Sequence, residues 1–137
     1  MKSTKEFFQN RKILIYGYGK TGKSAFNFLK TKNNLKVFDD NLPLTNLPYN
    51  KKFTRGSDRV RNFDYVLLSP GINYRKCLLS NEIIKNKEKI ISDLDVFYKS
   101  FPENFFITIT GTNGKSTTCK LLYLSLIHIS EPTRPYW

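Results

Sequence analysis

Apolar and polar positions fall along this chain in blocks whose lengths and bounding residues predict strands and helices by turns. Ile13-Leu14-Ile15-Tyr16 is a short unbroken apolar run that ends at Gly17-Tyr18-Gly19, and Ala25, Phe26 and Leu29 follow at helical spacing. Leu35 to Phe38 predicts a second strand, closed by Asp39-Asp40-Asn41. Residues 41–50 hold two prolines and three asparagines and read as a loop. Tyr65-Val66-Leu67-Leu68 predicts a third strand, stopped by Ser69-Pro70-Gly71. Leu78 to Lys85 suits a helix and Lys89-Ile90-Ile91 a short strand, after which Asp93 is a candidate cap for a helix through Val96, Phe97 and Tyr98. Strands alternating with helices predict an α/β fold: a parallel sheet joined by right-handed crossovers, Rossmann-like in kind. Ser100 to Asn104 reads as a linker, and Phe105 to Ile109 as a strand running straight into Thr110-Gly111-Thr112-Asn113-Gly114-Lys115-Ser116-Thr117.

Length sets a limit on this organisation, because 137 residues hold one ordinary domain plus part of another. A hydrophobic content of 39% and an aromatic content of 15% are enough for a soluble globular core. No apolar run reaches the roughly 18–20 residues of a membrane span. The charged N-terminus, MKSTKEFFQNRK, lacks the apolar stretch of a secretory signal, which points to the cytoplasm. Cys77 and Cys119 are far apart and show no metal-ligand spacing, so they read as reduced structural thiols. The formal net charge of +12 raises nucleic acid as a partner. Its lysines are spread along the chain beside abundant Asn, Ile, Phe and Tyr, residue types with A+T-rich codons, so base composition accounts for the charge without such a partner.

Two glycine-rich loops carry the candidate chemistry. Gly17-Tyr18-Gly19-Lys20-Thr21-Gly22-Lys23-Ser24 satisfies GxGxxG and GxxxxGK[ST] at once. Its place between the first strand and first helix, with Asp39 at the end of the second strand, favours the dinucleotide-type reading, in which amides face phosphate and a carboxylate lies beside a nucleoside. A plain strand-to-helix turn, and a phosphate loop using Lys23 and Ser24, are the alternatives. The second loop, TGTNGKST, stands between a strand and a helix, where backbone N–H groups can surround a polyphosphate, Lys115 can reach terminal phosphates and the Ser116 hydroxyl can ligate Mg²⁺. It departs from the general Walker pattern at Ile109, where the first glycine would stand.

Together, in this order and separation, the loops resemble those of the Mur ligases, which build the peptide stem of peptidoglycan. TGTNGKST is similar to that family's shortened ATP loop, and GYGKTGKS resembles the N-terminal loop of the branch that adds D-glutamate. Ser69-Pro70-Gly71-Ile72 resembles that branch's SPGI turn, and Ser92 to Phe97 its acidic segment ahead of the ATPase domain. The resemblance covers residues 10–123 and implies a Rossmann-like UDP-binding domain over residues 1–94. Residues 95–123 would be the linker and the first strand, phosphate loop and helix of a truncated ATP-binding domain. It places Gly19, Lys20 and Thr21 near the nucleotide, Asp39 near the uracil, and Ser69, Pro70 and Gly71 along the same crevice. Gly111, Thr112, Asn113 and Gly114 would wrap ATP phosphates, with Lys115 as the catalytic cation, Ser116 on Mg²⁺ and Thr117 beside them. Lys20, where the family often has an apolar residue, and Asp40-Asn41, in place of a common Thr-Arg pair, depart from the pattern.

The implied substrates are UDP-N-acetylmuramoyl-L-alanine, D-glutamate and ATP, used by a monomer without nucleic acid or membrane. Another Mur ligase and a non-catalytic nucleotide-binding module are the competing readings. The family's further metal ligands, modified lysine and C-terminal domain have no counterpart here, so the fragment is expected to be inactive and to bind no cofactor tightly. Residues 124–137 are expected to be an artefactual tail, since Leu124 to Arg134 resembles translated transposase adapter used in sequencing libraries. No function is read from its His128 or Trp137.

Overall fold

The computed structural model describes residues 7–46, 48 and 51–130. Residues 1–6 of the charged N-terminus, residues 131–137 with Trp137, and the side chain of His128 lie outside the described residues. The chain divides into two compact units, Met1–Glu103 and Asn104–Trp137.

In the first unit, β1 (Lys12–Tyr16), β2 (Asn34–Phe38), β3 (Tyr65–Leu68) and β4 (Ile90–Ile91) form one sheet in the order β2-β1-β3-β4. Every pairing is parallel. Strand β1 is unbroken in apolar character because both of its faces are covered. Ile13 and Ile15 enter one core with Leu35, Val37 and Leu67, while Leu14 and Tyr16 enter a second with Phe38, Phe53 and Val66. All four β1 side chains from Ile13 to Tyr16 are fully buried.

Helix α1 (Lys20–Leu29) presents Gly22, Ala25 and Leu29 inward at helical spacing and closes the first core together with Val96 of α3 (Asp93–Ser100). Helix α2 (Ser80–Lys85) supplies Ile83 to the second core and starts two residues later than the sequence pattern suggests. The chain after β2 returns beside it, with the Phe53 amide donating to the Val37 carbonyl at 2.9 Å. The cap of α3 is Ser92 and not Asp93. The Ser92 hydroxyl accepts the Asp95 amide at 3.1 Å, and the Asp95 carboxylate accepts the Ser92 amide at 2.8 Å, a reciprocal box that Asp93, already helical, is one residue too late to form.

In the second unit, α4 (Lys115–Ser130) opens directly after Gly114. One expectation needs correction here. Residues 105–109 form no strand: no strand ladder among the described residues includes them, and an apolar run becomes a strand only within a sheet. Residues 124–130 belong to the same helix, α4. Among the described residues, no helix is long and apolar enough to cross a membrane.

Candidate nucleotide-binding site

Strand β2 lies on one side of β1 and β3 on the other, so the strand order reverses between β1 and β3. In open parallel sheets the crevice beyond the carboxyl ends of such a pair is where ligands are received. The loop after β1 and the turn after β3 meet at this point. The Ser69 amide donates to the Tyr16 carbonyl at 3.0 Å, the Ser69 hydroxyl donates to the Gly17 carbonyl at 3.0 Å, and the Ile72 amide closes the Ser-Pro-Gly turn onto the Ser69 carbonyl at 2.9 Å.

The glycines of the first loop differ in what they do. Gly17 has φ +94°, and a Cβ there would lie 2.8 Å from Ser69 Cβ, so glycine is required for both backbone and contact. A Cβ on Gly22 would sit 1.9 Å from the Gly17 carbonyl oxygen, so its absence lets α1 press against the end of β1. Gly19 has neither constraint. Its φ is −73° and nothing stands within 4 Å of a Cβ built there. It is the exposed N-cap of α1, and no side chain caps it. The first amides of this helix therefore lack intrahelical acceptors beside an open surface. Lys20 and Thr21 occupy its first turn and line a groove with Phe28, Asp93 and Phe97. Because the helix begins at Lys20, three residues before Lys23, Lys20 and Thr21, which a Walker-type loop would keep in its phosphate-wrapping turn, are already helical here. The Lys23 amine lies 5.8 Å from the centre of the Tyr18 ring.

Two adjacent carboxylates lace the loops together. Asp39 accepts the Tyr18 amide at 2.7 Å, the Asn41 amide at 2.9 Å and the Leu42 amide at 3.1 Å. Asp40 accepts the Tyr16 hydroxyl at 2.5 Å and the Leu78 amide at 3.2 Å. Burial first, and the bond to Asp40 second, hold the Tyr16 phenol well above its ordinary pKa, so it stays protonated and remains a donor. Burial also raises the Tyr18 phenol. The Tyr16–Asp40–Leu78 tie was missed at the level of sequence. Its only signal was a tyrosine closing an otherwise aliphatic strand, with a second acid after Asp39. Thus Gly17, Gly19, Asp39 and Ser69 converge at the crevice, and Pro70 and Gly71 lie exposed beside it. Ser69 and Pro70 also border a wider cleft with Tyr74, Arg75 and Ile90.

Within the second unit, Gly111 and Gly114 have φ +151° and +74°. The Lys115 amine folds back on its own loop, donating to the carbonyls of Gly111 and Thr112. Thr112, Asn113, Ser116 and Thr117 are exposed along the same loop and first helical turn. These features suit phosphate. A magnesium site is a different matter, because residues 104–130 contain no Asp or Glu, and the Ser116 hydroxyl alone does not make one. No group of three or more His, Cys, Asp or Glu able to hold a metal occurs among the described residues.

No family model matches the chain. Curated proteins do, and several of these similar proteins share one description, UDP-N-acetylmuramoylalanine–D-glutamate ligase. The protein of that name from Rickettsia prowazekii (strain Madrid E) is 40% identical over 124 residues, covering 84% of this chain and 27% of the relative. The one from Francisella philomiragia is 36% identical over 121 residues, 85% of this chain and 27% of the relative. The one from Bacillus cytotoxicus is 34% identical over 127 residues, 85% of this chain and 28% of the relative. The chain thus spans about a quarter of the length of the curated relatives it matches.

Proposed function

We propose that this chain, homologous over most of its length to the UDP-N-acetylmuramoylalanine–D-glutamate ligases, is the part of such a ligase that holds the UDP end of the substrate and begins the ATP site. The observation that carries the reading is the crevice between β1 and β3. There the exposed Gly19, free of any steric need for glycine, caps an open helix N-terminus opposite the Ser69-Pro70-Gly71 turn. A diphosphate seated on the amides of Gly19, Lys20 and Thr21 would meet backbone donors at close range, with the Lys20 ammonium adding charge complementarity. The Ser69 turn would border the nucleotide on its other side.

In the complete enzyme, on this reading, the γ-phosphoryl group of ATP passes to the carboxylate of UDP-N-acetylmuramoyl-L-alanine and ADP leaves. The amine of D-glutamate then attacks the acyl carbon, expels phosphate and loses a proton. A carboxylate is a poor electrophile, and phosphorylation supplies its leaving group. Gly111 to Gly114 would receive ATP phosphates while Lys115, released from its own carbonyls, offsets their charge. The metal that such chemistry uses would need ligands beyond Ser116, so this chain alone is proposed to be inactive. The protein would work in the cytoplasm as a monomer, with neither nucleic acid nor membrane as partner.

The test is the reading frame itself. Amplifying the source DNA across codon 123 and assaying the product for phosphate release that requires both UDP-N-acetylmuramoyl-L-alanine and D-glutamate should reveal the ligase. A continued frame whose product releases no phosphate with these substrates would refute the proposal.

A further inference from the structure

Asp39 follows the second strand at the spacing that puts a carboxylate beside a nucleoside, yet its carboxylate is already occupied by main chain. One oxygen accepts the Tyr18 amide at 2.7 Å; the other accepts the amides of Asn41 at 2.9 Å and Leu42 at 3.1 Å. A carboxylate offers about four lone-pair sites, so three are committed and both oxygens are in use. One residue earlier, the Gly17 amide donates to the Phe38 carbonyl at 2.8 Å. The two peptides after β1 are therefore both fastened to the end of β2, the first by main chain and the second by Asp39. The next amides, from Gly19 onward, belong to the uncapped start of α1. The Tyr18 N–H belongs to the Gly17–Tyr18 peptide, whose carbonyl accepts the Ser69 hydroxyl at 3.0 Å, so Asp39 fixes the N–H side of that peptide and, without it, only the Ser69 contact remains to hold it.

The geometry points to Asp39 as a positioning residue: it fixes the Gly17–Tyr18 peptide, and through it the Gly19–Thr21 amides as a preorganised seat for the diphosphate, and it does not read the base. This rests on the nucleotide-binding reading above. Preorganisation of this kind strengthens binding by removing the cost of ordering the loop when ligand arrives.

The test compares UDP with inorganic pyrophosphate, which lacks a base, by titration calorimetry on the full chain and on Asp39→Asn. Asparagine keeps one oxygen for Asn41 and Leu42 but sets an amide group against the Tyr18 N–H. Both ligands should weaken by the same factor, about tenfold, the scale of one lost charge-assisted hydrogen bond. Hydrogen exchange at the Tyr18 amide should accelerate in parallel. A variant that loses UDP but keeps pyrophosphate, or that keeps both, overturns the inference and leaves the nucleotide site standing. Should the variant fail to fold, the unaltered chain still decides: a Tyr18 amide exchanging as fast as that of Gly19 means no latch exists. If the Tyr18 amide is protected but neither ligand binds the unaltered chain, the nucleotide reading falls and the role falls with it.

Discussion

Gly19 and Gly22 stand three residues apart in one loop and are glycine for different reasons. A methyl group at Gly22 would meet the Gly17 carbonyl oxygen at 1.9 Å, which the backbone must move to relieve, whereas one at Gly19 meets nothing within 4 Å. Gly22→Ala should therefore destabilise the chain by about 3 kcal/mol, seen as a lower urea midpoint. Gly19→Ala should change that midpoint by less than about 1 kcal/mol, yet weaken UDP binding at least about tenfold by obstructing approach to the helix amides. The reverse ranking would mean that Gly19 serves the fold alone. From the sequence these two positions look alike, since GxGxxG specifies residue types and not their neighbours. The Asp39 ties were illegible for a related reason. Side-chain bonds to main-chain amides depend on turn geometry that no spacing rule encodes, and Asp39 was read only as a carboxylate near a nucleoside.

Elements were more legible than contacts, where burial wrote itself into the pattern. Strands β1 and β3 show as unbroken apolar runs because helices or loops cover both of their faces. Residues 105–109 carry a similar pattern but form no strand, and the pattern alone does not report whether a neighbouring strand is there to receive them. Helix α3 shows how a boundary depends on a single cap. Bonds from the Ser92 hydroxyl and amide hold the Asp95 carboxyl below its usual value, against a smaller opposing effect of burial, and Lys99 adds to the lowering. A depressed folded-state pKa contributes stability above the unfolded value and loses it as pH falls through the folded one. Unravelling of α3 should thus set in below about pH 4, the ordinary range of an aspartate, and show as faster exchange of its amides. Ser92→Ala should remove about 1 kcal/mol at neutral pH by deleting the cap.

Helix α4 behaves differently on physical grounds. It leaves Leu121, Tyr123, Leu124 and Leu126 substantially exposed, and a helix of 16 residues is marginal without tertiary packing. Amides of residues 119–126 should exchange far faster than those of Ile13 to Tyr16, by at least about a hundredfold in native-state exchange. Comparable protection in both would show that α4 is held by packing beyond what its own unit supplies.

For the molecule as a whole, the proposed nucleotide-receiving domain rests on the parallel sheet in the order β2-β1-β3-β4 and on the alignment with ligases, while the chain spans only about a quarter of each relative. The net charge of +12 favours any anionic ligand and therefore discriminates poorly among them. Discrimination has to come from the crevice between β1 and β3. The most direct measurement is parallel titration of the full chain, at physiological salt, with UDP-N-acetylmuramoyl-L-alanine and with NAD, followed by amide shifts of Gly19, Thr21 and Ser69. The account predicts saturable binding of the UDP compound, with shifts concentrated at those three residues and a clear preference over NAD. Preference for NAD, or binding of the UDP compound that leaves these amides unmoved, would contradict it.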